Sequence, residues 1–379
     1  MSETKELLRR GIGDFAPVPD DAFDRVLVWR NRRQRNRRIG SAVVGIAVAV
    51  AAIGVLLRAF TPTQVPADRD LGIFTPFAGR IVVSGDEVEG LGPGLWAIDP
   101  NGPTDELPST LVPLGIDGAI PLGWSSDGTE LLFYRTSNDV FPDQYLFVLR
   151  ADGTEIQLND KPMVLAGEAA ISPDGSRVAF ARQAGRTRSI NGLYVVDTTG
   201  GGRPVRLVSP GTHGGPSSPT FSPDGAQIAY YTLEVHDGAD IPVETHVWVM
   251  DSGGGNAHEI LTDQAPLMGG PHSSLQWSPT GDRLVLQIDP ILGGDAAVYG
   301  DSVIFTFAPD GSGFTQVITG GLSPYWSPDG SQIAYTTDCR PDLSCSHLAI
   351  AEADGSNIRG FGFAASGPWH PGNVIAVEP

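Results

Sequence analysis

The sequence predicts an all-β fold, a six-bladed β-propeller preceded by one transmembrane helix and a short cytoplasmic helical segment. Two motifs that recur along the chain predict the propeller, and one long apolar segment predicts the transmembrane helix. The composition agrees, because 48 glycines, 31 prolines and only 18% charged residues are typical of many short strands joined by turns.

The first motif is an apolar residue followed by a Ser-Pro-Asp-Gly turn and a short alternating strand. Five full copies and a shorter sixth begin at Trp124, Ile171, Phe221, Trp277, Trp326 and Trp369. These starts are 47, 50, 56, 49 and 43 residues apart. Such a spacing is typical of one four-stranded propeller blade per repeat.

Each part of this motif has a physical role in a strand–turn–strand unit. The proline fixes φ at the first central position of the turn, the aspartate hydrogen-bonds nearby backbone, and the glycine takes the positive φ. In the copy at Phe221 the following strand alternates, so we expect Ile228 and Tyr230 on one face of the sheet. Ala229 and Tyr231 then lie on the opposite face.

The second motif is a strand-like run that ends in a polar turn. Its six copies begin at Leu95, Leu146, Leu193, Val247, Ile304 and Leu348. Six copies of each motif favour six blades. The run RIVVSG from Arg80 and the run NVIAV from Asn373 predict a ring closed by strands from both ends of the chain, which removes exposed edges. Both runs resemble the second strand of a blade, so a seventh, incomplete blade stays open as an alternative.

The apolar segment Ile39–Leu57 predicts one transmembrane helix. Its 19 residues carry no charge, and at about 1.5 Å per residue they span roughly 28 Å, close to the hydrocarbon core of a bilayer. Six arginines in residues 30–38 precede it. The positive-inside rule then places the N-terminus in the cytoplasm and the bulk of the chain outside. A cleaved signal peptide would have a shorter basic start, and a buried core helix would not follow such an arginine run.

We therefore expect a single-pass protein of the cell membrane with four regions. They are a cytoplasmic basic helical segment (1–38), a transmembrane helix (39–60), a linker (61–78) and an extracytoplasmic propeller (79–379). In the first region, Phe23, Val26 and Leu27 share one helical face. That face either continues into the span or docks a cytoplasmic partner.

Charge is divided unevenly between these regions. Of the 25 Lys/Arg and 44 Asp/Glu in the chain, residues 1–60 carry 11 Lys/Arg and 6 Asp/Glu. Residues 61–379 therefore carry 14 Lys/Arg and 38 Asp/Glu. The larger part therefore has a net charge of −24, and the first 60 residues have +5. A domain so acidic repels nucleic acid and anionic lipid, so we expect no nucleic-acid partner.

The turn motif, as in SPDGAQIAY from Ser222 and SPDGSQIAY from Ser327, resembles the repeats of bacterial TolB-like, WD-like β-propeller proteins. It is also similar to the propeller repeats of prolyl oligopeptidase and dipeptidyl peptidase relatives. The resemblance covers roughly residues 79–379 and implies the propeller fold. Resemblance to TolB implies a protein partner in the cell envelope, although TolB-like proteins are usually soluble after export and this chain keeps an anchor.

Cys339 and Cys345 are the two cysteines of the chain, separated by one short loop. Outside the cytoplasm a disulfide is their natural state. A zinc site, the alternative, would need further ligands, and only His347 lies nearby. We therefore predict a disulfide and no metal at this place.

Polar residues precede the first strand of several repeats, where the channel of a propeller opens. They are Glu168, His213, Ser217, Ser218, His272, Ser273, Ser274 and Ser323. His213 and His272 occupy comparable places in neighbouring repeats, and with Ser217 and Ser273 they form a predicted ligand patch at the channel mouth. The alternative is that these are solvated loops that carry His and Ser without a ligand.

No catalytic or cofactor motif is found. The relationship to prolyl peptidases would require a G-x-S-x-G elbow, and the sequence has none. Phosphate and dinucleotide fingerprints are also missing, so we expect no cofactor. Calcium held by the Asp-rich turns stays open as an alternative, although no D-x-[DN]-x-[DN]-G loop occurs.

Three functions remain. The first is a membrane-anchored extracytoplasmic propeller that acts as a protein- or ligand-binding scaffold. The second is a transmembrane signalling protein, in which the propeller senses and residues 1–38 dock a cytoplasmic partner. The third is an enzyme whose site lies at the channel mouth, for which His213 and His272 would be essential.

Overall fold

The structure of this protein is a computed structural model. It describes residues 70–84, 94–103, 112–136, 144–184, 189–211, 214–235, 243–261, 267–268, 274–288, 291–292, 298–299, 301–337, 347–362 and 367–368. Six antiparallel sheets form six blades in these residues, and a seventh sheet of two strands is inserted in the fifth blade. The predicted all-β six-bladed propeller is therefore confirmed, and the seven-bladed alternative is not.

The first three blades follow one another along the chain. Blade 1 contains β1 (Ile81–Ser84), β2 (Leu95–Ile98) and β3 (Val112–Pro113). Blade 2 contains β4 (Ala119–Trp124), β5 (Glu130–Thr136), β6 (Gln144–Arg150) and β7 (Glu155–Gln157). Blade 3 contains β8 (Val164–Ile171), β9 (Arg177–Ala184), β10 (Ser189–Asp197) and β11 (Val205–Val208).

The last three blades complete the ring. Blade 4 contains β12 (Pro216–Phe221), β13 (Gln227–Val235), β14 (Val243–Asp251), β15 (His258–Glu259) and β16 (Leu267–Met268). Blade 5 contains β17 (Ser274–Trp277) and β18 (Leu284–Ile288), then a small hairpin of β19 (Ile291–Leu292) and β20 (Val298–Tyr299), and finally β21 (Val303–Phe307) and β22 (Thr315–Thr319). Blade 6 contains β23 (Gly321–Trp326), β24 (Gln332–Thr337), β25 (Leu348–Glu352) and β26 (Arg359–Gly360).

Hydrophobic clusters lie between neighbouring blades, so each blade buries both of its faces. The alternation predicted for β13 is confirmed: Ile228 and Tyr230 belong to the cluster between blades 3 and 4. Ala229 and Tyr231 belong to the cluster between blades 4 and 5. Small residues at this depth of a strand let adjacent sheets approach closely.

The ring closes between blade 6 and blade 1. Ile81 of β1 packs in one cluster with Ile350 of β25 and Phe361. On its other edge β1 meets the C-terminal part of the chain, where the backbone N–H of Val82 donates to the carbonyl of Pro368 at 3.0 Å. The run from Arg80 therefore takes the second-strand position of blade 1, with residues 367–368 beside it. The predicted strand at 373–377 lies outside the described residues.

A 3₁₀ helix, Gly72–Phe77, precedes blade 1 and lies within the segment 61–78 that the sequence predicts as a linker. Its Phe74 and Phe77 are buried in the cluster between blades 1 and 2. The ring of Phe74 meets Trp124 edge-on, with centroids 4.8 Å apart. The folded part thus begins several residues before the predicted boundary at 79, because two phenylalanines extend its core.

The helical predictions for residues 1–38 and 39–60 lie outside the described residues. Within the part of the chain that the structure describes, no helix combines the length and the apolar character that crossing a membrane requires.

Candidate functional site

The Ser-Pro-Asp-Gly turns cap the inner strands of the blades and share one hydrogen-bond pattern. In blade 3, the hydroxyl of Ser172 donates to Oδ1 of Asp174 at 2.6 Å and accepts from the backbone N–H of Arg177 at 2.9 Å. Gly175 has φ +72°, as the motif predicts. The hydrogen bond from Ser172 holds the pKa of Asp174 below its ordinary value. This carboxylate is thus engaged within its own turn.

Neighbouring turns touch, so they form a rim at one end of the inner strands. Ser126 of blade 2 donates both its backbone N–H and its hydroxyl to the carbonyl of Pro173 in blade 3, each at 2.9 Å. A methyl group at Gly225 would lie 3.7 Å from Pro173, and one at Gly281 would lie 3.7 Å from Pro223. The prolines of the motif therefore pack against the glycines of the next turn.

Inside this rim the inner strands of blades 2–6 enclose a cavity of about 320 Å³. Apolar side chains dominate its lining, which includes the residue that begins each full copy of the turn motif: Trp124, Ile171, Phe221, Trp277 and Trp326. The cavity follows the axis around which the blades are arranged. Ligand sites of propellers and other concave folds have this character, an apolar wall with few polar groups.

Glu168 of β8 is the charged residue among the described residues that line this cavity. It lies in a β-bulge, where the register of β8 against β9 shifts between Leu165 and Ala169, and where Gly167 has φ +75°. Its backbone N–H donates to the hydroxyl of Ser218 in blade 4 at 3.2 Å. Bulges re-aim side chains, and this one presents a carboxylate to the channel.

Three neutral donors reach this carboxylate from the other side of the channel. The hydroxyl of Ser274 and the amide of Gln276, both in blade 5, donate to Oε2 of Glu168 at 3.2 and 3.3 Å. The hydroxyl of Tyr325 in blade 6 donates to the same carboxylate. Burial raises the pKa of Glu168 above its ordinary value, and the three hydrogen bonds oppose that shift without cancelling it.

The structure brings together four of the residues that the sequence singles out. Glu168, Ser218 and Ser274 are joined by the contacts above, and the buried Ser217 donates its hydroxyl to the carbonyl of Ala166 at 2.8 Å. Ser323 instead donates its backbone N–H to the side chain of Gln287 at 2.8 Å. His213, His272, Ser273, Cys339 and Cys345 lie outside the described residues. The predicted ligand patch and disulfide therefore stay predictions.

Sequence reasoning missed Gln276 and Tyr325. Both stand one position before the tryptophan of their motif, where Thr220 stands in blade 4 and Gly123 in blade 2. Aligning the repeats on the motif would have revealed polar side chains at a single depth of three consecutive blades. That Gln276 and Tyr325 both reach Glu168 can be seen only from the arrangement of the blades in the ring.

Among the described residues, no group of three or more His, Cys, Asp and Glu side chains is arranged to hold a metal ion. In the fourth copy of the turn, Thr280 replaces the aspartate and shares a hydrogen bond with the hydroxyl of Ser278 at 2.6 Å. The side chain at this position, Asp or Thr, thus hydrogen-bonds within its own turn, and its role there is structural.

Comparisons with known proteins find similar folds among solved structures. No family model matches the sequence, and no curated protein matches it. A protein described as TolB from Agrobacterium tumefaciens superposes with a TM-score of 0.47 at 18% identity, over 67% of this chain and 83% of that one. Hydrazine synthase from Kuenenia stuttgartiensis superposes with a TM-score of 0.50 at 13% identity, over 78% of this chain and 47% of that one. Oligogalacturonate lyase from Vibrio parahaemolyticus superposes with a TM-score of 0.37 at 14% identity, over 64% of this chain and 78% of that one.

At these identities the likeness shows the fold alone. The chain spans less than half of the hydrazine synthase chain. A shared fold does not decide whether a chain catalyses a reaction, because function depends on the site that the fold carries.

Proposed function

We propose that this protein is a membrane-anchored propeller that acts outside the cytoplasm as a binding scaffold. The observation that carries the binding role is the channel cavity of about 320 Å³, with an apolar wall and one carboxylate. A closed ring of six blades is a rigid support for such a site and for a protein partner on its rim. The uncharged segment 39–57 after six arginines supports the anchor and its orientation.

Reporter fusions test the anchor and the orientation. A reporter that works only outside the cytoplasm, fused after Pro379, should be active, and the same reporter fused before Met1 should be inactive. Removing residues 39–57 should release the protein from sedimented membranes. Activity of the N-terminal fusion, or unchanged sedimentation after the deletion, would contradict this part of the proposal.

Crosslinking in intact cells tests the scaffold role. We expect an envelope protein to crosslink to the full chain, and the yield to fall at least tenfold when surface positions of the rim are substituted. Suitable positions are those of Ser126 and Pro173, which join neighbouring turns. Substitution at the exposed Val205 of β11 is the matched control. An equal yield in both variants would show that the rim is not the contact surface.

Transmembrane signalling is a second candidate, favoured by one observation. Phe23, Val26 and Leu27 have the spacing of one helical face and precede the arginine run, a pattern typical of a docking helix. Deleting residues 1–29 should then abolish a cytoplasmic crosslink and leave the envelope crosslink intact. If both crosslinks persist after the deletion, the N-terminal region serves as an anchor and not as a docking site.

A further inference from the structure

The carboxylate of Glu168 has no cationic partner among the described residues. Its hydrogen bonds come from a serine, a glutamine and a tyrosine, and all three donors are neutral. Charged side chains that leave water are normally paired with an opposite charge or bind a metal ion. A half-buried carboxylate inside an otherwise uncharged channel therefore lacks the partner that such a group usually has.

The carboxylate also has room for another donor. An ionised carboxylate offers about four lone-pair positions, and the three donors from Ser274, Gln276 and Tyr325 leave one of them. The donor atoms of Ser274 and Gln276 lie 3.2 and 3.3 Å from Oε2 of Glu168. These distances are longer than the 2.7–2.9 Å typical of charge-assisted hydrogen bonds. The pocket thus orients Glu168 without saturating it.

The walls beside Glu168 are aromatic. Trp124, Phe221, Trp277 and Trp326 line the same cavity, and aromatic faces attract organic cations. The indole N–H of Trp277 donates to the carbonyl of Gly281 at 3.2 Å. The indole N–H of Trp326 is buried and has no acceptor among the described residues. The cavity therefore combines a negative charge with aromatic surface.

We propose that the channel binds an organic cation, a small molecule or side chain whose ammonium group pairs with Glu168. This inference rests on the proposed binding role of the same cavity and names the chemistry of its ligand. A volume of about 320 Å³ is at the lower end of the range for small-molecule sites. A divalent metal ion fits poorly, because calcium takes six to eight oxygen ligands and the described lining supplies one carboxylate.

This assignment implies that binding depends on pH. Burial raises the pKa of Glu168, and a bound ammonium group would lower it again because opposite charges favour the ionised form. Affinity for the cation should therefore increase as the pH rises through the pKa of Glu168. Below that range the carboxyl group is neutral, and the attraction is lost.

The test uses the full chain in detergent micelles and two probes of similar size, one cationic and one neutral. We would measure binding of 2-phenylethylamine and of 2-phenylethanol by ligand-observed NMR and calorimetry from pH 5 to pH 9, and compare them where Glu168 is ionised. The ammonium probe should bind at least tenfold more tightly than the alcohol. The substitution Glu168→Gln keeps the shape of the side chain. It should abolish this difference in affinity and leave the affinity for the alcohol unchanged.

Glu130→Gln is the matched control variant. Glu130 is also a partly buried carboxylate with a raised pKa, but it is paired with Arg150 at 3.2 Å and does not line the cavity. Binding of the ammonium probe should be the same in this variant as in the wild type. Melting curves of all three proteins establish that each is folded.

Three results would overturn the proposal: equal affinity for the two probes, undiminished ammonium binding by Glu168→Gln, or displacement of the probe by calcium chloride at millimolar concentration. The envelope crosslink distinguishes an error in the proposed cation ligand from an error in the proposed scaffold role. If the envelope crosslink persists but the two probes bind equally, the proposed protein partner is retained and the proposed cation ligand is rejected. If both fail, the proposed function fails as well.

Discussion

Glu168 and Asp174 lie six residues apart on the same inner strand and turn, yet their surroundings act on them in opposite directions. Burial raises the pKa of Glu168, whereas the hydroxyl of Ser172 is the leading cause that lowers the pKa of Asp174. Ordinary values are about 4.3 for Glu and about 3.9 for Asp. The two groups must therefore affect stability with opposite dependence on pH.

The first prediction concerns these two residues. The contribution of Glu168 is present below about pH 4.3 and is lost as pH rises through its raised pKa. The Tm of Glu168→Gln minus that of the wild type should therefore increase as the pH rises from 4 through the raised pKa of Glu168. The contribution of Asp174 is present above about pH 3.9 and is lost as pH falls. Asp174→Asn should lower the Tm at pH 7, and less so at pH 3.

Thermal melting between pH 3 and pH 8 measures both differences, with the wild type as reference at each pH. Opposite slopes for the two variants are the expected result. Parallel slopes would mean that global charge, and not the local surroundings of each carboxyl group, controls the response to pH.

At the scale of elements, the 3₁₀ helix Gly72–Phe77 is part of the propeller core. Phe74 is fully buried and contacts Trp124, while the backbone N–H of Ile73 donates to the carbonyl of Ala151 in blade 2 at 2.9 Å. Phe74→Ala should lower the free energy of unfolding by about 3–5 kcal/mol, the usual cost of removing a buried aromatic side chain. Urea denaturation measures this change.

The same helix supplies the control. Ile73 is 39% exposed, so Ile73→Ala should change the free energy of unfolding by less than about 0.5 kcal/mol. A chain that begins at residue 79 should also be less stable than one that begins at residue 65. Equal stability of these two chains would show that the helix is a linker after all.

Closure of the ring depends on Gly367. A methyl group there would lie 1.8 Å from the carbonyl oxygen of Val82, so the C-terminal segment and β1 would have to separate. Gly367→Ala should cost about 1–3 kcal/mol, the range for overpacking, and should increase hydrogen exchange in β1 and β25. Gly360→Ala in β26, where a methyl group meets nothing within 4 Å, should leave both measurements unchanged.

The elements differ in how far sequence predicts them. The turn motif recurs five times in full, so the blades and the alternation of Ile228 and Ala229 could be predicted from period and turn chemistry. The helix containing Phe74 could not, because it occurs once and holds a proline, Pro76. The channel site was predicted in part: Glu168 stood among the candidates, but its pairing with Tyr325 joins residues 157 positions apart and depends on ring geometry.

At the scale of the whole molecule, charge and hydropathy divide the chain into two unlike parts. Residues 61–379 have a net charge of −24 and residues 1–60 have +5. Asp and Glu contribute little to membrane orientation, while Lys and Arg close to a span set it. If the chain is anchored as proposed, the six arginines of residues 30–38 should determine which side of the membrane the propeller occupies, whatever the charge of the propeller itself.

The last prediction follows from this asymmetry. Replacing the six arginines by glutamine leaves Arg25 as the basic residue nearest the span on its N-terminal side, and Arg58 and Arg69 on the other side, which removes most of the bias. A substantial fraction of the chains should then insert with the propeller in the cytoplasm. A C-terminal reporter that works only outside the cytoplasm would lose activity, and a protease added outside would no longer degrade the propeller. Replacing Arg58 and Arg69 instead should leave the orientation unchanged, because the larger arginine cluster remains. If the six substitutions have no effect, translocation of the propeller is imposed by something other than the positive-inside bias, and the proposed orientation loses its physical basis.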